Sequence, residues 1–88
     1  MIPGGLTKID TNDAEVQEVA AFATSQIRRQ TNDNVQLIQV VRAWVQVVAG
    51  LKYHLELKMS NGMIKVEVVR PLSATNGKYE LISWNPIK

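Results

Sequence analysis

The apolar positions change period twice along this chain, and those changes define its elements. Val16, Val19, Ala20, Ala23 and Ile27 recur at helical spacing and form one apolar stripe, with Phe22 at its flank. Asn12 is the expected N-cap, and Glu15 three positions later gives the spacing of a capping box. Arg28 and Arg29 suit the negative end of the helix dipole, and Thr31-Asn32-Asp33-Asn34 is expected to stop the helix. From Val35 the period becomes two. Val35, Leu37, Val41, Ala43, Val45 and Val47 occupy one parity, interrupted by Gln39. After Gly50 the alternation is cleaner: Leu51, Tyr53, Leu55, Leu57 and Met59 face one side, while Lys52, His54, Glu56 and Lys58 face the other.

Asn61-Gly62 is a two-residue hairpin signal, and Ile64, Val66 and Val68 continue as a further strand ended by Pro71. Asn76-Gly77 marks another turn, and Tyr79–Trp84 reads as a last strand before Asn85-Pro86. At the other end, Met1-Ile2-Pro3-Gly4-Gly5 suits neither helix nor central strand, because Pro lacks a donor and Gly is permissive. It reads as an arm leading into a short edge strand near Leu6–Ile9. The predicted fold class is α+β: one N-terminal helix wrapped by a four- to five-stranded antiparallel sheet, forming a single domain over residues 1–88. One helix and one sheet can each bury the other's single apolar face.

Composition narrows the chemistry. The 88 residues are 45% hydrophobic, enough for one core and not two. The sequence has no cysteine, so a thiol nucleophile, a thiolate metal site and a disulfide framework are all excluded. It has no apolar run of transmembrane length and no visible signal peptide. The expected location is therefore cytoplasmic if Met1 is native, and extracellular if a leader was removed. A net charge of +2, with Arg28-Arg29 as the densest basic cluster, makes no stripe for nucleic acid. His54 is the single histidine and alternates with Lys52 and Glu56. It is expected to be solvated, without a ligand set or a nucleophile to activate. No phosphate loop is present, so neither an enzyme nor a cofactor is expected. Trp44 and Trp84 are expected to cover the sheet edge or core, with Trp84 near the turn after Pro71.

Three separated segments carry a family resemblance. Gln46-Val47-Val48-Ala49-Gly50 is similar to the first inhibitory hairpin of the cystatins, protein inhibitors of papain-like cysteine proteases. Ile2-Pro3-Gly4-Gly5-Leu6 resembles the N-terminal trunk of the stefins, the cysteine-free members, and Leu51-Lys52-Tyr53-His54-Leu55 resembles the stefin strand leaving the first hairpin. Val69-Arg70-Pro71-Leu72 falls where cystatins place a second hairpin. Pro71-Leu72-Ser73 is a hybrid there, since secreted and plant members show Pro-Trp and stefins show Leu followed by Pro. Val19-Ala20-Ala21-Phe22-Ala23 partly echoes the plant-type helix signature.

The resemblance implies reversible, competitive, tight-binding inhibition. A wedge made of Ile2, Pro3, Gly4, Gly5, Gln46, Val47, Val48, Ala49, Gly50, Pro71, Leu72 and Ser73 would fill the cleft of a papain- or cathepsin-type protease. It implies a monomer when active, and straightening of Gln46–Gly50 would give a domain-swapped dimer without the first hairpin. Thr31-Asn32-Asp33 lies where some secreted cystatins carry Ser-Asn-Asp against legumain, which makes Asn32 a second candidate contact. The alternatives are a non-inhibitory binding module on the same fold and an engineered cystatin scaffold. Membranes and nucleic acids are not expected partners.

Overall fold

The computed structural model describes residues 5–72 and 78–87. Ile2, Pro3, Gly4, Ser73 and the Asn76-Gly77 turn lie outside the described residues. Strand β1 (Leu6–Lys8) leads into helix α1 (Ala14–Thr31), followed by β2 (Leu37–Val48), β3 (Gly50–Met59), β4 (Gly62–Pro71) and β5 (Glu80–Pro86). The strands form one antiparallel sheet in the order β1-β2-β3-β4-β5, and α1 packs across β2, β3 and β4.

The helix starts one residue later than the spacing predicts. Asp13, not Asn12, is the N-cap, and its Oδ1 accepts from the backbone N–H of Glu15 at 2.9 Å and of Val16 at 3.2 Å. This displacement frees Glu15 from a capping box, and its carboxylate turns elsewhere. Asn32 ends the helix in the left-handed region at φ 53°, ψ 33°, which Asn tolerates better than most residues.

The predicted stripe is the buried face of α1. Val16, Val19, Ala20 and Ala23 are fully buried, Ile27 nearly so. Alanines at the centre of the stripe let the helix approach the sheet, where Leu55, Leu57, Val66 and Val68 are also fully buried.

Strand β2 departs from simple alternation. Val40, rather than Val41, is the buried valine, opposite Leu57. The register runs Leu37↔Met59, Gln39↔Lys58, Val40↔Leu57, Arg42↔Glu56, so Ile38 and Val41 are bulged. The first bulge puts even positions inside, and the second restores Ala43 and Val45 to the core. A hairpin forms at the expected place but one residue earlier: Met59 pairs with Gly62, so Ser60-Asn61 are the turn residues and Gly62, at φ 131°, opens β4.

Trp84 pairs with Val66 and lies beside Ile27, Val35, Met59 and Ile64, at the Asn61–Gly62 end of the sheet. It is therefore far from Pro71–Leu72, not near it, because β5 runs away from that turn. Its indole N–H donates to Gln30 Oε1 at 3.0 Å. Trp44 stands on the outer face, between Lys8 and His54 in the register.

Candidate functional site

One end of the sheet gathers the described parts of the predicted segments, Gly5–Leu6, Gln46–Gly50 and Pro71–Leu72. Strand β2 ends at Val48 and β3 begins at Gly50, so Ala49 alone separates them and Val48 opposes Gly50. This turn depends on glycine. Gly50 adopts φ 115°, which L side chains rarely enter, and a Cβ there would lie 2.3 Å from the Arg70 carbonyl oxygen and 2.9 Å from Pro71 Cα. Gly50 pairs with Pro71, so the first hairpin rests directly on the start of the second. Leu6 pairs with Gln46 and the strands are antiparallel, so the chain enters β1 from this same end through Gly5.

The site offers exposed apolar side chains on a fixed backbone. Leu72 is 84% exposed, Leu6 56% and Val48 42%. Isolated exposed apolar residues are ordinary, and these three stand on adjacent segments of one rim. Val47 is half-buried opposite Leu51, and Gln46 is half-buried with its Oε1 3.0 Å from His54 Nε2. Gly50, Leu51, Arg70, Pro71 and Leu72 line a cleft of about 280 Å³ between the two turns.

Behind this rim lies a polar cluster that sequence reasoning missed. Arg70 Nη1 donates to Glu15 Oε1 at 2.8 Å and to Oε2 at 2.7 Å. The Tyr53 hydroxyl donates to the same Oε1. The Tyr53 hydrogen bond holds the Glu15 carboxyl below its ordinary range against the opposing effect of burial, and Arg70 adds to the lowering. The Tyr53 hydroxyl is pushed up, first by burial and then by its bond to Glu15. The three residues are 38 and 55 positions apart, so no local motif could have joined them. The available signal was Arg70 at the inward parity of β4, in phase with Ile64, Val66 and Val68.

His54 is not solvated as expected. Its side chain lies between Gln46 and Glu67 on the outer face, with Nδ1 3.9 Å from a Glu67 oxygen that Lys52 Nζ meets at 2.8 Å. Burial lowers the imidazole pKa, against the pull of Glu67. Asn32 lies at the far end of the molecule from Val48 and Leu72, as the cap of α1. Among the described residues, no group of three or more His, Asp or Glu is arranged for a metal ion, and no helix is long and apolar enough to cross a membrane.

A helix laid across an antiparallel sheet, with two turns and the entry to β1 converging at one end, defines a small protein that presents loops from a rigid support. The Cystatin domain family model matches residues 4–85, and the chain belongs to the cystatin family. It is 40% identical over 83 residues to "Cysteine proteinase inhibitor 1" of Actinidia chinensis var. chinensis, covering 93% of this chain and 62% of that protein. The chain thus spans less than two thirds of that relative's length. It is 36% identical over 77 residues to "Cystatin-A" of Mus musculus, covering 86% of this chain and 79% of the relative. The solved structure described as "Crystal structure of Al-CPI" superposes with a TM-score of 0.73 at 24% identity, over 96% of this chain and all of that one, which supports the fold alone.

Proposed function

We propose that this chain, acting as one domain over residues 1–88, is a reversible, competitive, tight-binding inhibitor of papain-like cysteine proteases. The observation that carries the reading is the convergence of Gly5–Leu6, Val48–Gly50 and Pro71–Leu72 on one rim, in a member of a family whose relatives include proteins named as cysteine proteinase inhibitors. A papain-like cleft is narrow, with its reactive cysteine at the base. Val48 and Ala49 would enter the cleft, and Leu72 would press on the primed side. Residues 2–4 would run along the non-primed side, where Gly4 allows close passage of the backbone.

Burying the rim gains about 25 cal/mol per Å² of apolar area, from which association costs are subtracted. A wedge with a preformed backbone loses little conformational freedom on binding, and this favours tight association from a modest contact. Activity belongs to the monomer, because a dimer formed by straightening residues 46–50 would have no first hairpin to insert. A contact of Asn32 with a legumain-type protease would use the opposite end and leave the wedge free.

The test is titration of papain with the purified monomer against a fluorogenic peptide. Competitive, reversible inhibition at about micromolar concentration or below is expected, weakened by Gly4→Arg and by Val48→Trp. A folded monomer that leaves the protease fully active refutes the proposal.

A further inference from the structure

Leu72 is the most exposed large apolar side chain described, so its own packing does little to hold it in place. Two contacts of the preceding residues restrain its segment. One restraint is the pairing of β4 with β3, which places Pro71 against Gly50. The other is Arg70. Its neighbour Val68 points into the core, so Arg70 returns to the core face at the open end of the sheet, above the first turn of α1. There its Nη1 sits between both oxygens of Glu15, while Tyr53 fixes one of those oxygens.

Glu15 itself has little freedom. The next residue, Val16, is fully buried, and the N-cap bonds from Asp13 hold the turn on which Glu15 stands. The positive end of the helix favours the carboxylate as an anion. Arg70 joins the two turns through its backbone as well, because its carbonyl oxygen is the atom a side chain at Gly50 would strike first.

We infer that Glu15 is a positioning residue for target binding: through Arg70 it tethers the second hairpin, Pro71–Leu72, to the helix and fixes its separation from the first hairpin at Gly50. The inference deepens the inhibitor reading and rests on it for the nature of the target. Glu15 touches no protease atom in this scheme. It acts by keeping Leu72 where the cleft requires it, so that ordering cost is not charged to binding.

Two readouts on Glu15→Gln, Arg70→Gln and the double variant decide the matter. The first is ¹⁵N relaxation of the amides of Arg70 and Leu72, with Val66 as the core control. The second is the rate at which the folded variant leaves a papain-like protease. The tether predicts that Glu15→Gln loosens Arg70 and Leu72 while Val66 is unchanged. Dissociation becomes about five-fold faster, and the double variant is no worse than either single one, as expected for residues acting as one unit. Arg70→Lys, which keeps a cation near the carboxylate, restores part of the loss. Should Glu15→Gln fail to fold, Arg70→Gln alone supplies both readouts.

A purely structural role lowers the unfolding midpoint while leaving relaxation at Leu72 and the dissociation rate as in the parent, and that result overturns the inference. If the parent chain itself does not inhibit, the protease reading falls. The relaxation data then still decide whether the tether exists.

Discussion

Replacing Gly50 with alanine separates two effects that a tight turn combines. Gly50 and Gly62 both have positive φ, at 115° and 131°, and both sit at hairpin ends. A side chain at either position strains the backbone by about 1–3 kcal/mol. The surroundings differ. A Cβ at Gly62 meets nothing within 4 Å, whereas one at Gly50 would lie 2.3 Å from the Arg70 oxygen, 2.9 Å from Pro71 Cα and 3.1 Å from Leu72 N. All three are backbone atoms, which cannot rotate away as a side-chain tip can. The added clash therefore costs about 1–3 kcal/mol beyond the strain common to both sites.

The entropy that alanine removes from the unfolded chain is the same in both variants and cancels in the comparison. Gly50→Ala should thus fall below Gly62→Ala by about 1–3 kcal/mol, a large part of the stability of a domain of this size. Urea unfolding followed by tryptophan fluorescence measures both, with equal slopes confirming a common unfolded state. Variants within about 0.5 kcal/mol of one another would refute the close approach of the two hairpins. A Gly50→Ala protein that relieves its clash by parting the turns should also inhibit less per folded molecule.

Other consequences are simpler to state. Leu57→Ala, at a fully buried position under the helix, should cost about 2–5 kcal/mol by denaturation, and less than 1 kcal/mol would show that the site collapses freely. Asp13→Ala should cost about 1 kcal/mol by removing the acceptor for two backbone N–H groups, while Asn12→Ala should be near neutral; the reverse order would return the cap to Asn12. His54 has a folded pKa below its ordinary 6.5, so the unfolded chain takes up protons first. Its contribution is fully present above about pH 6.5 and is lost as pH falls through the folded value. The parent should lose stability over that range and His54→Gln should lose less, which thermal unfolding across pH would check. Glu15 has the same sign at lower pH: its contribution is present above the ordinary carboxylate pKa and is lost as its folded value is crossed. Glu15→Gln should therefore show a shallower acid limb in unfolding experiments.

The parts of the fold legible in the sequence are those where one period runs without interruption. The stripe from Val16 to Ile27 and the alternation from Leu51 to Met59 each have a single reading, and both lie as expected. The hairpin at Asn61-Gly62 was legible from its residue types, but its turn falls one residue earlier, at Ser60-Asn61, because the pairing of Met59 with Gly62 sets the register. Between Leu37 and Ala43 the chain carries apolar residues at both parities, so no count could say that Val40 would point inward. Asn12 and Asp13 are both good caps, and only the backbone decides between them. Trp84 was misplaced because its position depends on how β5 registers with β4, which the sequence does not state locally. At the candidate site, the break between β2 and β3 was legible from Gly50 and the end of β4 from Pro71. The Glu15–Tyr53–Arg70 cluster was not, since it exists only once the helix crosses the sheet.

The bulged residues have a consequence beyond the direction of side chains. Strand β1 is three residues long and leaves the far half of β2 as an open border, and that is where Ile38 and Val41 drop out of register. The opposite border, β5, has Ile82 out of register and ends at Pro86. Each border is thus kinked where a neighbouring molecule would need a straight row of amides and carbonyls to add a strand. The irregular spacing is expected to protect both borders, where Ile38 and Ile82 are 59% and 48% exposed, against strand addition, and light scattering from a concentrated solution checks this. Straightening the β2 border by deleting one bulged residue would remove that protection and shift the phase of the strand at the same stroke.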